Sequence, residues 1–155
     1  MCARAARAIL SRMSLGRRKL LLIGSGAVCA HALGCGNDTG SALSPVIDAG
    51  NEANLPVGTL RAVANHGVAI GHDAGGIYAM SLICTHAGCD ISADGAVSSG
   101  SVQCFCHGSV FDGQGNVLRG PANAPLPHLV VTADAAGELT IHGDQTTPAS
   151  TRLGT

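Results

Sequence analysis

Apolar and polar residues alternate in short runs through the middle and end of the chain. "TLRAVAN" (59–65), "GVAIGH" (67–72) and "IYAMSLI" (77–83) read as three successive strands, the last two joined by the turn "DAGG". "HLVVTA" (128–133) and "ELTIH" (138–142) read as a second hairpin across the turn "DAAG". No segment keeps a helical period for more than two turns, and no repeat of solenoid length is present. The pattern predicts a small antiparallel β domain. Between the two hairpin regions, residues 84–127 carry little strand signal and are rich in Gly, Cys, His and Pro, as befits a binding subdomain made of loops.

The beginning of the chain follows a different rule. Residues 1–19 carry Arg4, Arg7, Arg12, Arg17, Arg18 and Lys19 with no acid, and "LLLIGSGAVCAHAL" (20–33) is an apolar run of fourteen. Charge followed by a short apolar run is the order of an export signal, and fourteen residues fall short of the roughly 20 that span a bilayer. The pair Arg17–Arg18 just before the run resembles a twin-arginine signal, used for proteins exported already folded. Two processing readings stand. "AHA" (30–32) suits ordinary cleavage, whereas "ALGC" (32–35) resembles a lipobox that makes Cys35 a lipidated N-terminus; the second is preferred. The expected organisation is an export signal over 1–34, a flexible linker over 35–56, a folded domain over 57–143 and a loose tail over 144–155. The mature part is then acidic: Arg61, Arg119 and Arg152 face ten carboxylates, a formal charge of −7. Nucleic acid is excluded as a partner, and a basic protein surface is favoured.

Composition sharpens the picture in one respect. Aromatic residues make up 2% of the chain, and 22 of its 155 residues are glycine. So few large side chains build a thin core, and a small domain of this kind needs a metal or a disulfide to hold it.

The loop region supplies candidates for both. It contains Cys84, His86 and Cys89 in "CTHAGC", and Cys104, Cys106 and His107 in "CFCHG". Besides Cys35, the other cysteines, Cys2 and Cys29, fall in the signal. Two cysteines and two histidines suit zinc, and four cysteines in an exported protein suit two disulfides. Neither reading accounts for a histidine following each ligand-like cysteine at two or three residues. His66, His72, His128 and His142 stand alone and read as surface residues.

Taken together, Cys-x-His-x-Gly-Cys, with seventeen residues between His86 and Cys104, and then Cys-x-Cys-His-Gly-Ser resemble the signature of the Rieske iron–sulfur family. "GPANAPL" (120–126) resembles that family's proline loop, with Gly120, Pro121 and Ala122 at its start. The resemblance covers about residues 57–143. It implies an all-β fold, an antiparallel β-sandwich with an inserted cluster-binding subdomain of loops. It also implies a [2Fe-2S] cluster, with Cys84 and Cys104 on one iron and His86 and His107 on the other. Cys89 and Cys106 would form a disulfide, the mark of the type found in cytochrome bc-type complexes.

Charge counting says why such a donor set matters. Two ferric ions and two sulfides carry +2. Four thiolates leave a dianion, whereas two thiolates and two neutral imidazoles leave a neutral centre that takes up an electron more readily. Potentials of about −150 to +300 mV follow, against about −400 mV for all-cysteine plant-type clusters. Ser109 stands where the family's serine hydroxyl reaches a sulfide. Phe111 stands where high-potential members carry a tyrosine, so one hydrogen-bond donor is missing and the potential should lie below the top of the range.

The function implied is one-electron transfer on the outer face of the cytoplasmic membrane or in the periplasm. The chain would serve as the iron–sulfur subunit of a quinol-oxidising cytochrome bc-type complex. The donor would be a quinol or a partner oxidoreductase, the acceptor a cytochrome-like protein, and a cytochrome b subunit the neighbour. Membrane association would come from the lipid anchor or from the complex. The chain shows no substrate-turnover site of its own. Ala87 stands where many respiratory members carry a larger apolar residue, which suits a looser redox encounter. The alternatives are a standalone exported Rieske ferredoxin, a small subunit of another oxidoreductase, and a structural zinc-binding module.

Overall fold

The structure is a computed structural model that describes residues 43–154. The export signal, Cys35 and linker residues 36–42 lie outside the described residues. Ten strands follow one another: β1 (Ile47–Asn51), β2 (Thr59–Val63), β3 (Val68–Asp73), β4 (Gly76–Ser81), β5 (Gly95–Ser98), β6 (Ser101–Cys104), β7 (Val110–Asp112), β8 (Val117–Arg119), β9 (His128–Ala133) and β10 (Glu138–Thr147). The one helical piece among the described residues is a 3-10 turn, Glu52–Asn54. Every strand pair is antiparallel. Six strands form a curled sheet in the order β1-β10-β9-β4-β3-β2, and four form a smaller sheet in the order β5-β6-β7-β8. The expected all-β architecture is therefore the observed one. The hairpins β2–β3, β3–β4 and β9–β10 fall where the alternation placed them.

The large sheet buries both faces at its centre. Along β3 and β4, Val68, Ile70, Ile77 and Ala79 turn into one core with Ile47, Leu139 and Ile141. Their neighbours Ala69, Tyr78 and Met80 turn the other way, into a second core shared with the small sheet. Side chains of successive strand residues point to opposite faces, so a single strand serves both cores. The second core contains Cys84, Cys104, Phe111, Ala122 and Leu126. The base of the loop region is therefore packed against the back of the large sheet.

Four expectations need correction. The linker reading of 35–56 fails from residue 47 onward. Ile47 and Ala49 are buried, and β1 pairs with β10 through Ile47 and Ile141. Two inward apolar side chains at i and i+2 suffice for an edge strand, while Asp48 faces out and its carboxylate accepts the Gly50 amide at 2.8 Å. The tail is not loose either. Strand β10 runs to Thr147, and Leu153 exchanges both backbone hydrogen bonds with Ile77, at 2.9 and 2.8 Å. Arg152 pairs with Asp73 at 2.8 Å and lies 4.5 Å from the centre of the Tyr78 ring. One apolar residue and one guanidinium hold this segment, and neither makes a periodic pattern.

Residues 84–127 contain β5 to β8 besides their loops. Those strands are three or four residues long and include Gly and Ser, too short to show an alternation. Finally, His128 is buried, not at the surface. It stacks on Tyr78 with ring centres 5.6 Å apart, and its Nε2 meets the Gln114 carbonyl at 2.9 Å. An aromatic neighbour from β4 and a carbonyl from the β7–β8 turn give the ring an apolar bed and a hydrogen-bond partner.

Candidate metal centre

Two loops carry the metal-type residues, and they share one backbone design. In the first, the Cys84 amide donates to the Cys89 carbonyl at 2.8 Å, and the Cys84 carbonyl accepts the Gly88 amide at 2.8 Å. In the second, the Cys104 amide donates to the Ser109 carbonyl at 2.9 Å, and the Cys104 carbonyl accepts the Gly108 amide at 3.0 Å. Both glycines have positive φ, +76° and +82°. That left-handed turn is open to glycine at little cost and is why each box contains one four residues after its first cysteine. The bridge between Ile83 and Asp90 closes the neck of the first loop, and the end of β6 leads into the second.

The design sorts the side chains. Cys84 and Cys104 open their loops, are free thiols and are buried, at 3% and 1% exposure. Burial pushes the Cys104 thiol up from the ordinary cysteine range, and the neighbouring Cys84 thiol adds to the shift. A metal's positive charge would favour the thiolate at Cys104 against that burial. His86 and His107 lie at the loop ends, both exposed, with ring centres 4.7 Å apart and the rings set edge to face. The two thiols are thus neighbours at the base, and the two imidazoles are neighbours at the rim.

Cys89 and Cys106 form a disulfide across the two loops. The sulfurs of Cys89, Cys104 and Cys106 lie within 4.8 Å of one another, but in that trio Cys104 alone keeps a thiol to offer a metal.

A third loop closes over the pair. Residues 120–127 begin with a cis Gly120–Pro121 bond and bury Ala122 and Leu126. The Ala122 amide donates to Ser109 Oγ at 3.0 Å, and Thr85 Oγ1 donates to the Ala124 carbonyl at 2.6 Å. The proline loop is thereby fastened to both ligand loops. Arg119 Nε also donates to the Gly108 carbonyl, at 3.2 Å. Sequence reasoning singled out Ser109 but passed over Thr85 and Arg119. The position of Thr85, inside the box between Cys84 and His86, was the available signal.

Comparison with known proteins bears directly on this arrangement. The profile of the Rieske [2Fe-2S] domain matches residues 46–131, more than half of the chain.

The chain belongs to the Rieske [2Fe-2S] domain family.

The start of this match agrees with β1 as the first strand of the Rieske domain. Among related proteins, the cytochrome b6-f complex iron-sulfur subunit of Synechococcus elongatus is 41% identical over 64 residues, covering 40% of this chain and 35% of that protein. The carotenoid phi-ring synthase of Chlorobaculum tepidum is 39% identical over 67 residues, covering 43% of this chain and 10% of that protein. The chain thus spans about a third of the length of the cytochrome b6-f subunits it matches, and less of the synthase. Among solved structures, the plasma membrane Rieske protein of Synechocystis aligns at 27% identity with a TM-score of 0.47, covering 61% of this chain and 97% of that one.

The Rieske domain's cofactor is a [2Fe-2S] cluster. The residues present suit it. Two buried thiols and two neighbouring exposed imidazoles come from the same two loops, and the hydroxyl of Ser109 is fully buried on the second of them. Ser109 Oγ accepts the Ala122 amide, which leaves its O–H to donate. Phe111 is fully buried in the same core as Cys84 and Cys104 and has no donor to offer.

Proposed function

We propose that this chain transfers single electrons through its [2Fe-2S] cluster, with Cys84 and Cys104 holding one iron and His86 and His107 the other. The observation that carries the reading is the division of the donor set. The thiols sit at the buried base of two matching loops, and the imidazoles sit exposed at their ends, where a partner reaches them. When bound, the cluster supplies a one-electron couple, and a neutral oxidised centre sets its potential above that of all-cysteine clusters. The chain's own residues do the rest. The disulfide and the proline loop hold the two ligand loops in register. The aliphatic core beneath them keeps water from the sulfurs. Ser109 has a proton to give to the cluster, and Phe111 has none.

The donor would be a quinol or a partner oxidoreductase, and the acceptor a cytochrome-like protein. Service as the iron–sulfur subunit of a cytochrome bc-type complex, beside a cytochrome b, is supported by the likeness to cytochrome b6-f iron-sulfur subunits and by the disulfide. A standalone exported ferredoxin is the second reading, favoured by Ala87, a small exposed residue where a docking tip would be apolar and large. Export to the outer face of the membrane is supported by the signal-like N-terminus and by a disulfide that an oxidising compartment sustains. Lipidation of Cys35 belongs to the same proposal.

Purification from membranes tests the whole. A coloured protein with two irons per chain and an EPR signal after dithionite supports electron transfer. A colourless protein that contains zinc and is silent in EPR overturns it. Copurification with a cytochrome b separates the complex from the standalone ferredoxin, and mass spectrometry of the mature N-terminus decides the fate of Cys35.

A further inference from the structure

The chain has three aromatic residues, Tyr78, Phe105 and Phe111. Tyr78 and Phe111 are buried, as a fold short of large side chains requires, but Phe105 is 64% exposed. Single exposed apolar residues are common and need no explanation in themselves. Phe105 differs in its place. It lies between Cys104 and Cys106 on the second ligand loop, two residues from His107, and its ring contributes little to the core.

The surrounding backbone fixes the direction in which it points. Gly95 pairs with Cys104 at the end of the β5–β6 hairpin, and the Phe105 amide donates to the Asp94 carbonyl at 2.8 Å, continuing the same antiparallel line. Alternation then turns Val102 and Cys104 inward and Gln103 and Phe105 outward. Across the pair, Ala96 and Asp94 are exposed too. The result is a small outward face made of an aromatic ring, a carboxylate, an amide and a methyl, beside the exposed histidines.

We infer that Phe105 is the apolar anchor on which a basic, electron-accepting protein docks. This rests on the electron-transfer reading above. Charge decides the class of occupant. The described residues carry nine carboxylates against three arginines. Of those arginines, Arg152 is paired with Asp73, Arg61 is held on the Ala49 carbonyl, and Arg119 alone lies at the ligand loops, on the Gly108 carbonyl. An acidic domain draws in a basic protein and repels both an anionic lipid surface and a second copy of itself. Long-range attraction sets the encounter, and a desolvated aromatic at the contact slows departure. On docking, one electron leaves the reduced chain and converts the partner's ferric haem to ferrous.

The test uses the loaded chain and stopped-flow oxidation by two probes, a basic cytochrome c and ferricyanide, a small anion with no pocket. F105S should slow the reaction with cytochrome c about tenfold, the size of a modest interface hot spot, and F105L should restore most of it. D94N should weaken its dependence on ionic strength. Ferricyanide rates and midpoint potentials should stay put in F105S and F105L, whereas D94N should speed the anion's reaction while it slows that of the basic cytochrome. An unchanged cytochrome c rate in F105S, or an equal fall with ferricyanide, overturns the docking role. So does a self-association or a vesicle binding that F105S abolishes, which would assign the ring to a second copy or to lipid. A chain lacking the reduced EPR signal ends the electron-transfer reading and this one with it, whereas a loaded chain that fails only the Phe105 comparison ends this one alone.

Discussion

Ser109 Oγ accepts the backbone amide of Ala122 at 3.0 Å, across thirteen residues of sequence. Both groups are buried, so the contact holds the proline loop down and also turns the serine proton away from that loop. In Ser109→Ala the amide loses its partner inside the protein, which costs about 1–3 kcal/mol. The variant should melt earlier and show a lower midpoint potential. Thermal melts and voltammetry report the two effects separately, and a loss of stability with no change in potential would confine Ser109 to a structural role.

Phe111→Tyr should move the potential the other way. The site is fully buried and shares its core with both free cysteines. A hydrogen bond to a charged group is worth about 1.5–3 kcal/mol, which for one electron is on the order of 60–130 mV upward. A midpoint that does not rise would mean that the new hydroxyl finds no sulfur.

The matched backbones of the two ligand loops predict matched sensitivity. A Cβ on Gly88 or Gly108 would meet nothing within 4 Å, so only the left-handed backbone resists a larger residue. Gly88→Ala and Gly108→Ala should each cost about 1–2 kcal/mol in urea unfolding. Unequal losses would show that the two turns are not equivalents.

Arg152 governs the acid limb of stability. Its hydrogen bond is the main reason that Asp73 is held below the ordinary carboxylate range. A depressed carboxylate stabilises the fold above about pH 4, the unfolded group's own range, and that contribution is lost as the pH falls through the folded value. Arg152→Ala removes this contribution and the contact with Tyr78. It should lower stability by on the order of 1–2 kcal/mol near neutral pH and make the acid limb shallower. Urea unfolding from about pH 3 to pH 7 measures both. An acid limb of unchanged slope would clear the pair of that role.

What could be read from the sequence was what is written locally. The two boxes are compact because each loop returns on itself within six residues, so the likeness of Cys84, His86, Cys104 and His107 to the Rieske signature could be read in place. The hairpins of the large sheet declare themselves because five or six alternating residues make a period. Strands β5 to β8 are too short for that, and β1 hides in a stretch whose Gly, Asn and Asp resemble a linker. His128 and Arg152 escaped for a different reason. Their burial and pairing come from partners in other strands and turns, Tyr78, Gln114 and Asp73, which no local pattern brings together.

Strands β3 and β4 serve as a partition, with Ala69, Tyr78 and Met80 on the side of the cysteines and Val68, Ile70, Ile77 and Ala79 on the other. The far compartment shares none of its buried side chains with the loops. Substitutions made there act on durability alone, whereas those made on the near side bear on redox behaviour as well. An engineer can therefore seek a hardier protein and a retuned potential in two separate libraries and combine the winners.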